Sequence, residues 1–512
     1  MAASKSRWWA LGALAFGTLA IGLDTTVLSV ALPTLARDLH ASTGDLQWFN
    51  TAYLLVLAAA LLPAGMLGDR FGRKKMLLAA LVVFGGASAA CAYATSTGTL
   101  IAARAVLGLG AAVIMPLSVA MLTVLFDAAE RPRALTVWVT ASALGIPLGP
   151  LVGGWLLDHY WWGSVFLINV PMVVLALIAV ALWVPETYGD RDRRFDVPGM
   201  LLSAAGLVAF TYGIIEAGSR GWGDARSLGT IAGGLLALAV FGWWQRRSSA
   251  PLVDLALFRS RSFTWGSILA TLASFGLLGL LFALPQFLQV VGGNDALGSG
   301  LRLLPVIGGL LVGARVADRV VVRTGSKMVI ATGLALIAGG LFAGTATDPS
   351  TGYGYTAIWI SLIGLGLGFT LPPAMDAALG ALSRERSGVG SAVIMALRQV
   401  GGAIGVAIMG TVLSSGYRGQ LDVTGLPASA ADAVRDSAPA GVVVAGRLHD
   451  PSLLASVQHA FTHGMDLSLL TAGLVAVAGV ILTLFFLPAR AQRNEAAPEP
   501  PVAPLAAAES VA

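Results

Sequence analysis

Apolar runs of about 20 residues recur along nearly the whole of this sequence, and that feature removes most folds from consideration. A helix rises about 1.5 Å per residue, so a run of that length crosses the roughly 30 Å of hydrocarbon in a bilayer. Inside hydrocarbon every backbone N–H and C=O must find its partner within the protein, which leaves helices or a closed barrel. The runs lack period-two alternation and are too long for barrel strands, so an all-α integral membrane protein is expected. With 56% hydrophobic and 12% charged residues, a water-soluble globule is excluded. Fourteen transmembrane spans are predicted: Trp8 to Val30, Trp48 to Leu67, Met76 to Ala94, Leu100 to Val124, Ala134 to Leu157, Ser164 to Val184, Val197 to Ala217, Ser227 to Gln245, Phe263 to Leu288, Leu301 to Val322, Met328 to Ala346, Tyr355 to Leu379, Ser391 to Leu413 and Met465 to Leu487. The first is read as a retained spanner and not a signal peptide, because Asp24 interrupts its apolar run and no small-residue cleavage site follows.

Charge then sets the orientation. An even number of spans puts both termini on one side, and with that side cytoplasmic about 23 Lys and Arg fall inside against about 7 outside. The net charge of +5 thus reports topology, and no nucleic-acid partner is expected. A multi-pass protein of the cytoplasmic membrane with both termini inside is predicted. Trp8-Trp9, Trp161-Trp162 and Trp243-Trp244 sit at run ends, where indoles favour the headgroup boundary. The five histidines are scattered and the single cysteine, Cys91, lies within an apolar run, so neither a metal site nor an intrachain disulfide is expected.

An internal repeat organises the chain. Gly108-Leu109-Gly110 followed by Met115-Pro116 returns as Gly364-Leu365-Gly366 followed by Leu371-Pro372, and Gly145, Gly149 and Gly154 return as Gly401, Gly405 and Gly410 at the same offset. Asp69-Arg70 ending the second span is echoed, after a gap, by Asp318-Arg319 ending the tenth. The repeat predicts a six-helix bundle over 1–186, a linker with two inserted spans over 187–262, and a second six-helix bundle over 263–488. The Ala-, Gly- and Pro-rich stretch 414–462 is expected to be an external, partly disordered loop, and 489–512 a disordered cytoplasmic tail. Duplicated halves with a site between them are the architecture of secondary transporters.

Between spans two and three the sequence GMLGDRFGRKKML, Gly65 to Leu77, combines turn-permitting glycines with an acid that can hold arginines or face a helix N-terminus. Gly65, Asp69, Arg70, Gly72 and Arg73 are its candidate gate residues; Arg73, Lys74 and Lys75 taken alone fit a solvated basic loop as well. This string closely resembles the signature loop of the major facilitator superfamily. Leu23 to Pro33, LDTTVLSVALP, looks like the first-helix signature of its fourteen-spanner drug:proton antiporter family, and Arg104 to Gly110, RAVLGLG, resembles the fourth-helix motif. Gly145 to Gly154, GIPLGPLVGG, is similar to the fifth-helix signature associated with antiporters. In physical terms Gly145, Gly149, Gly153 and Gly154 allow close helix packing and Pro147 and Pro150 add bends; the resemblance adds the role of a gate-side hinge.

Ionisable groups in hydrocarbon cost several kcal/mol, so those retained are candidate functional groups. They are Asp24, Arg104, Glu216, Asp376 and Arg398. Asp24 and Arg104 lie at matching depth on spans one and four and are predicted to face each other, with Asp24 the titrating group. In the resembled family these positions are linked to proton coupling and cation recognition. Asp376 and Arg398 suggest a second pair, either structural or tied to substrate and proton. Glu216, beside Arg220, fits a snorkelling carboxylate as well as a functional one. Gln286 and Gln289 are expected to line the cavity or meet headgroups. No Gly-Lys-Ser/Thr phosphate loop, HExxH or nucleophile elbow is present, so no enzyme chemistry and no cofactor beyond the proton gradient is expected.

The resemblance implies a monomeric antiporter that exports small hydrophobic or cationic drugs and antibiotics in exchange for protons. The same fold could import a metabolite, and a non-transporting receptor is the third reading; the antiporter-like fifth-helix motif argues against the importer.

Overall fold

The computed structural model describes residues 2–127, 130–188, 196–382 and 384–488; the tail 489–512 and the linker residues 189–195 lie outside the described residues. Among the described residues thirteen helical segments are long and apolar enough to cross a membrane. Helix α5 (Arg131–His159), 29 residues long, fills the remaining place in the predicted order of fourteen. The first group comprises α1 (Ala2–Asp38), α2 (Thr43–Phe71), α3 (Arg73–Ala92), α4 (Thr97–Leu125), α5, and the sixth span, which is divided into α6 (Ser164–Leu167) and α7 (Asn169–Trp183). The division at Ile168 follows from Pro171, which has no N–H to offer the carbonyl of Leu167.

After the inserted pair α8 (Val197–Arg220) and α9 (Ala225–Arg247), the second group consists of α10 (Arg261–Val290), α11 (Ala296–Arg302), α12 (Leu304–Thr324), α13 (Ser326–Gly344), α14 (Tyr353–Leu379), α15 (Arg384–Gln420) and α18 (Pro451–Phe486). The stretch 414–462 departs from expectation. It is helical for most of its length, through the end of α15, α16 (Ala428–Asp436), α17 (Ala438–Leu448) and the start of α18. Alanine favours helix, Pro439 and Pro451 stand in first turns, and the Ser437 and Asp450 side chains cap α17 and α18.

The sequence repeat has a direct packing counterpart. A Cβ at Gly108 would stand 2.5 Å from the Tyr53 carbonyl oxygen on α2, and one at Gly364 would clash with the Val306 carbonyl on α12. Gly110 rests on Phe84 of α3 where Gly366 rests on Gly333 and Ile337 of α13; Gly145 abuts Gly22 of α1 where Gly401 abuts Thr271 of α10. The last pair completes the symmetry across the groups, because Gly154 of α5 meets Leu297 of α11 and Gly410 of α15 meets Gln47 of α2. In a membrane, where apolar surface alone drives no association, such close backbone contacts and their dispersion energy hold helices together.

Hydrogen bonds between the two groups cluster at the end carrying the 39–42 turn, the expected outer end. Gln47, 1% exposed, donates through Nε2 to the carbonyls of Ala407 (2.7 Å) and Val406 (3.4 Å) and to Thr411 Oγ1 (3.3 Å). Gln289 donates to Val30 O (2.9 Å), Leu297 N to Asp158 Oδ2 (3.2 Å), and Thr43 Oγ1 to Asp436 O (3.1 Å). Replacing Gln47 with leucine is expected to favour separation at this end by about 1–3 kcal/mol, because the α15 acceptors lose their donor. The measurement is thiol labelling of a cysteine introduced at Thr34, which lines a cavity at this end together with Arg37, Asp158 and Gln289; Cys91 is buried, and unchanged labelling would refute the latch.

The inserted helix α8 lies against the seam. Thr411 Oγ1 donates to Ile214 O (2.9 Å), and Ile214 and Ile215 pack on Ala407 with Trp48 and Phe210 beside them. At the base of the α8–α9 pair, the Asp196 carboxylate accepts from Gly199 N (3.0 Å), Trp244 Nε1 (2.6 Å), Gln245 Nε2 (2.5 Å) and Leu252 N (3.4 Å). Burial pushes this carboxyl up, but the hydrogen bonds outweigh it and hold Asp196 below the usual carboxylate range.

Candidate functional site

Asp24 on α1 and Arg104 on α4 meet as the depth argument predicts: Arg104 Nη1 stands 2.6 Å from Asp24 Oδ2, with the two side chains 1% and 0% exposed. A pair so buried is sustained only when its remaining polar atoms are also satisfied. Arg104 Nε donates to Phe49 O (2.9 Å), and the guanidinium carbon lies 4.5 Å from the centre of the Tyr53 ring. The second carboxylate oxygen accepts from Asn169 Nδ2 (3.0 Å), which also donates to Ser88 Oγ (3.0 Å), and Ser88 donates to Phe166 O (2.9 Å). Besides its own helix α1, two helices reach the carboxylate directly, α4 through Arg104 and α7 through Asn169, and α2, α3 and α6 support those two side chains. Sequence reasoning missed Asn169, Ser88 and Tyr53; a lone asparagine in an otherwise apolar sixth span was the available signal for the first.

A small cavity lies between the two groups beside this pair. Thr25, Ser29, Asn50, Tyr53, Leu54 and Arg104 line it from one side and Leu278, Leu281, Phe282 and Val406 from the other. Its water-accessible volume is about 10 Å³, room for about a single water. Arg104 is in the lining and Asp24 is not, so the pair meets the cavity through the arginine.

The expected second pair is not formed. Arg398 donates to Ser274 Oγ (3.1 Å) and approaches Met375 Sδ (3.6 Å), and among the described residues it has no carboxylate partner. Asp376 is exposed. Successive helical positions differ by about 100°, so with Met375 facing Arg398 its neighbour Asp376 points away. Glu216 pairs with Arg220 one turn on, at the helix end, the arrangement expected of a snorkelling carboxylate. Gln286 is buried and turns back to Phe282 O (2.7 Å) in its own helix; Gln289 bridges the groups. Asp466 on α18, which the sequence reading does not single out, is a partly buried acid whose Oδ1 has no hydrogen-bond partner among the described residues.

The fifth-helix glycines form the face on which α1 rests. A Cβ at Gly145 would stand 2.5 Å from the Gly22 carbonyl carbon, one at Gly149 would stand 2.9 Å from Val27 N, and one at Gly153 2.6 Å from Val27 Cγ2. Thr26 Oγ1 donates to Gly145 O (3.2 Å) across the contact. The carbonyl of Pro150 approaches Gly300 of α11 from the opposite edge; Pro147 lies in the same helix, with its side chain outside the described residues.

The sequence profile described as Major Facilitator Superfamily matches residues 14–406. The chain belongs to the major facilitator superfamily. Relatives of this transporter match over nearly full length: a tetracenomycin C resistance and export protein of Streptomyces glaucescens is 34% identical, covering 96% of this chain and 93% of that protein. The multidrug efflux pump LfrA of Mycolicibacterium smegmatis is 33% identical, covering 94% and 96%. Among solved structures, a bacterial homologue of the human lysosomal transporter Spinster, inward-facing and unoccupied, superposes with a TM-score of 0.67 at 18% identity, covering 95% of this chain and 98% of that one. A D-xylose–proton symporter gives 0.60 at 15%, covering 94% and 98%. At those identities the likeness is one of fold.

The superfamily-like loop of this transporter is held within the first group. Asp69 binds Arg73 four residues on (2.8 Å from Nη2, 2.9 Å from Nε), and Gly72 takes φ +105°, a conformation that favours glycine. Gly65, at the start of the string, has open space around its Cβ position, and Arg70 places its guanidinium carbon 5.7 Å from the Phe71 ring centre. The partner of the loop was not visible in the motif. Glu186, after α7, accepts from the Lys74 and Lys75 amides at the N-terminus of α3 (2.9 and 3.3 Å), and Arg73 N donates to Thr187 O (2.8 Å).

Proposed function

We propose that this transporter is a proton-coupled antiporter that exports hydrophobic or cationic drug-like molecules across the cytoplasmic membrane by alternating access, as a monomer with both termini cytoplasmic. The observation that carries the reading is the fully buried Asp24–Arg104 pair whose guanidinium lines the cavity between the two groups of helices. The two relatives named for export and efflux, aligned over nearly the whole chain, support the direction.

In this scheme Asp24 is the proton site and Arg104 its link to the cargo space. Ionised Asp24 holds the guanidinium back. Protonation removes that counter-ion and lets Arg104 swing into the space between the two groups, which holds about one water here and takes cargo only when the groups part, so proton and cargo exclude one another. Loss of the proton on the cytoplasmic side recaptures Arg104 and reopens the space. Gly65, Asp69, Arg70, Gly72 and Arg73 act as the cytoplasmic gate loop, and the glycines and prolines of α5 as the hinge.

The test is Asp24→Asn in proteoliposomes carrying a pH gradient, with a fluorescent lipophilic cation as probe. Gradient-driven efflux is expected to fall on the order of tenfold or more while membrane insertion is retained. Unchanged efflux would sink the proton role, and gradient-driven uptake in the opposite sense would make the protein an importer.

A further inference from the structure

Arg398 is a membrane-embedded cation that the proposed coupling leaves unused. A guanidinium has five N–H donors, and here one meets a hydroxyl and another a thioether, a weak acceptor; no carboxylate among the described residues compensates the charge. The residue is only partly buried. Its position ties it to the central cavity from two sides. On α15, residues 398, 402 and 406 share one stripe at four-residue spacing, and Val406 lines the cavity. On α10, Ser274, which receives the Arg398 hydrogen bond, lies one turn from Leu278, another lining residue. Gly402 packs on Leu278 and completes the continuity between the stripes. Arg398 therefore stands about two helical turns from Val406 along α15, and its partner Ser274 one turn from Leu278 along α10, toward the expected inner end.

The ionic character of this space follows. Arg104 lines it, Arg398 lies near it, Asp24 is not in its lining and is paired with Arg104, and Asp376 points away from Arg398. Of these four groups only Arg104 lines the cavity as it stands; Arg398 lies beside it without a carboxylate partner among the described residues, and joins the cargo space when the groups part. Arg398 lacks the acceptor oxygens that a guanidinium fork binds best, while apolar Leu278, Leu281 and Phe282 supply a surface for an aromatic or aliphatic body. We propose that Arg398 is an anion subsite of the cargo cavity, and that the hydrophobic cargo includes lipophilic weak acids whose carboxylate, phenolate or enolate oxygen pairs with it. The proposal rests on the transport reading for the word cargo, but the binding itself requires no gradient.

The experiment compares 9-anthracenecarboxylate with its neutral methyl ester, measuring affinity for the purified protein in detergent and correcting for partition into protein-free micelles. The wild type is expected to bind the acid more tightly than the ester. Arg398→Gln is expected to weaken acid binding on the order of tenfold, with the ester changed less than about twofold. Arg398→Lys is expected to fall between, since charge remains but the fork is lost. Retained ester binding shows that the variant is folded. Equal affinity for acid and ester in the wild type, unchanged acid binding in Arg398→Gln, or parallel loss of both ligands overturns the proposal. The Asp24→Asn efflux experiment fails or succeeds independently, so the two readings can fall separately.

Discussion

Replacing Arg104 with leucine is expected to destabilise the protein by about 3–5 kcal/mol as long as Asp24 stays ionised, and to abolish coupled transport. The size of the effect follows from burial: both side chains are at most 1% exposed, and water cannot replace the lost cation. Asn169 would remain as a neutral donor to one carboxylate oxygen, leaving the other without its 2.6 Å partner. The protein can escape most of that cost in one way, by keeping Asp24 protonated, and a site that never releases its proton cannot cycle. The double variant Asp24→Asn/Arg104→Leu is therefore expected to regain much of the lost thermal stability in detergent while remaining inactive in efflux. Additive losses in the two single variants, with no recovery in the double, would show that the pair is not the coupled unit described.

That pair also marks how far the sequence can be read. Asp24 and Arg104 were predictable because charge in hydrocarbon is rare and a helix has a fixed rise, so equal depth follows from counting residues. Depth carries no information about azimuth, and the same reasoning failed at Asp376 and Arg398, where one residue's difference puts Met375 in the contact and turns the acid away. Asn169, Ser88 and the Phe49 carbonyl, which complete the Asp24 site, belong to three further segments and carry no charge to betray them. The repeated glycines were legible to the level of individual contacts, because a position lacking Cβ is where another backbone approaches. The repeat also shows what it does not share. At the offset that aligns Asp69-Arg70 with Asp318-Arg319, Asp24 corresponds to Ala273, and at the offset of the glycine motifs Arg104 corresponds to Ile360, so the buried pair belongs to the first group alone. The composition of 414–462 points to a loop, but its alanines, first-turn prolines and capping residues are those of helices, and local propensity prevails there.

Substituting valine for Gly149 is expected to eliminate transport as thoroughly as altering the charges, without touching a titratable group. The glycine is where α5 presses on α1: a Cβ there would stand 2.9 Å from Val27 N and 3.0 Å from Leu23 O, and it would collide with Thr26 Oγ1. Two of these three neighbours are backbone and cannot rotate aside, so the helices must part, with a cost of about 1–3 kcal/mol or more for overpacking. Leu23 precedes Asp24 directly, so displacement of α1 at this point moves the carboxylate against Arg104 and Asn169, which sit on other helices. The same movement is transmitted outward, because α5 meets α11 through Gly154 and Pro150. Gly12→Ala is the control, since it adds the same kind of atom to α1 at a position with nothing within 4 Å, and it should leave efflux and thermal unfolding unchanged. In Gly149→Val a fall of several degrees in melting temperature should accompany loss of efflux on the order of tenfold or more. Wild-type efflux in that variant would mean that α1 can move relative to α5 without disturbing the proton site, and the hinge assignment would then be untenable.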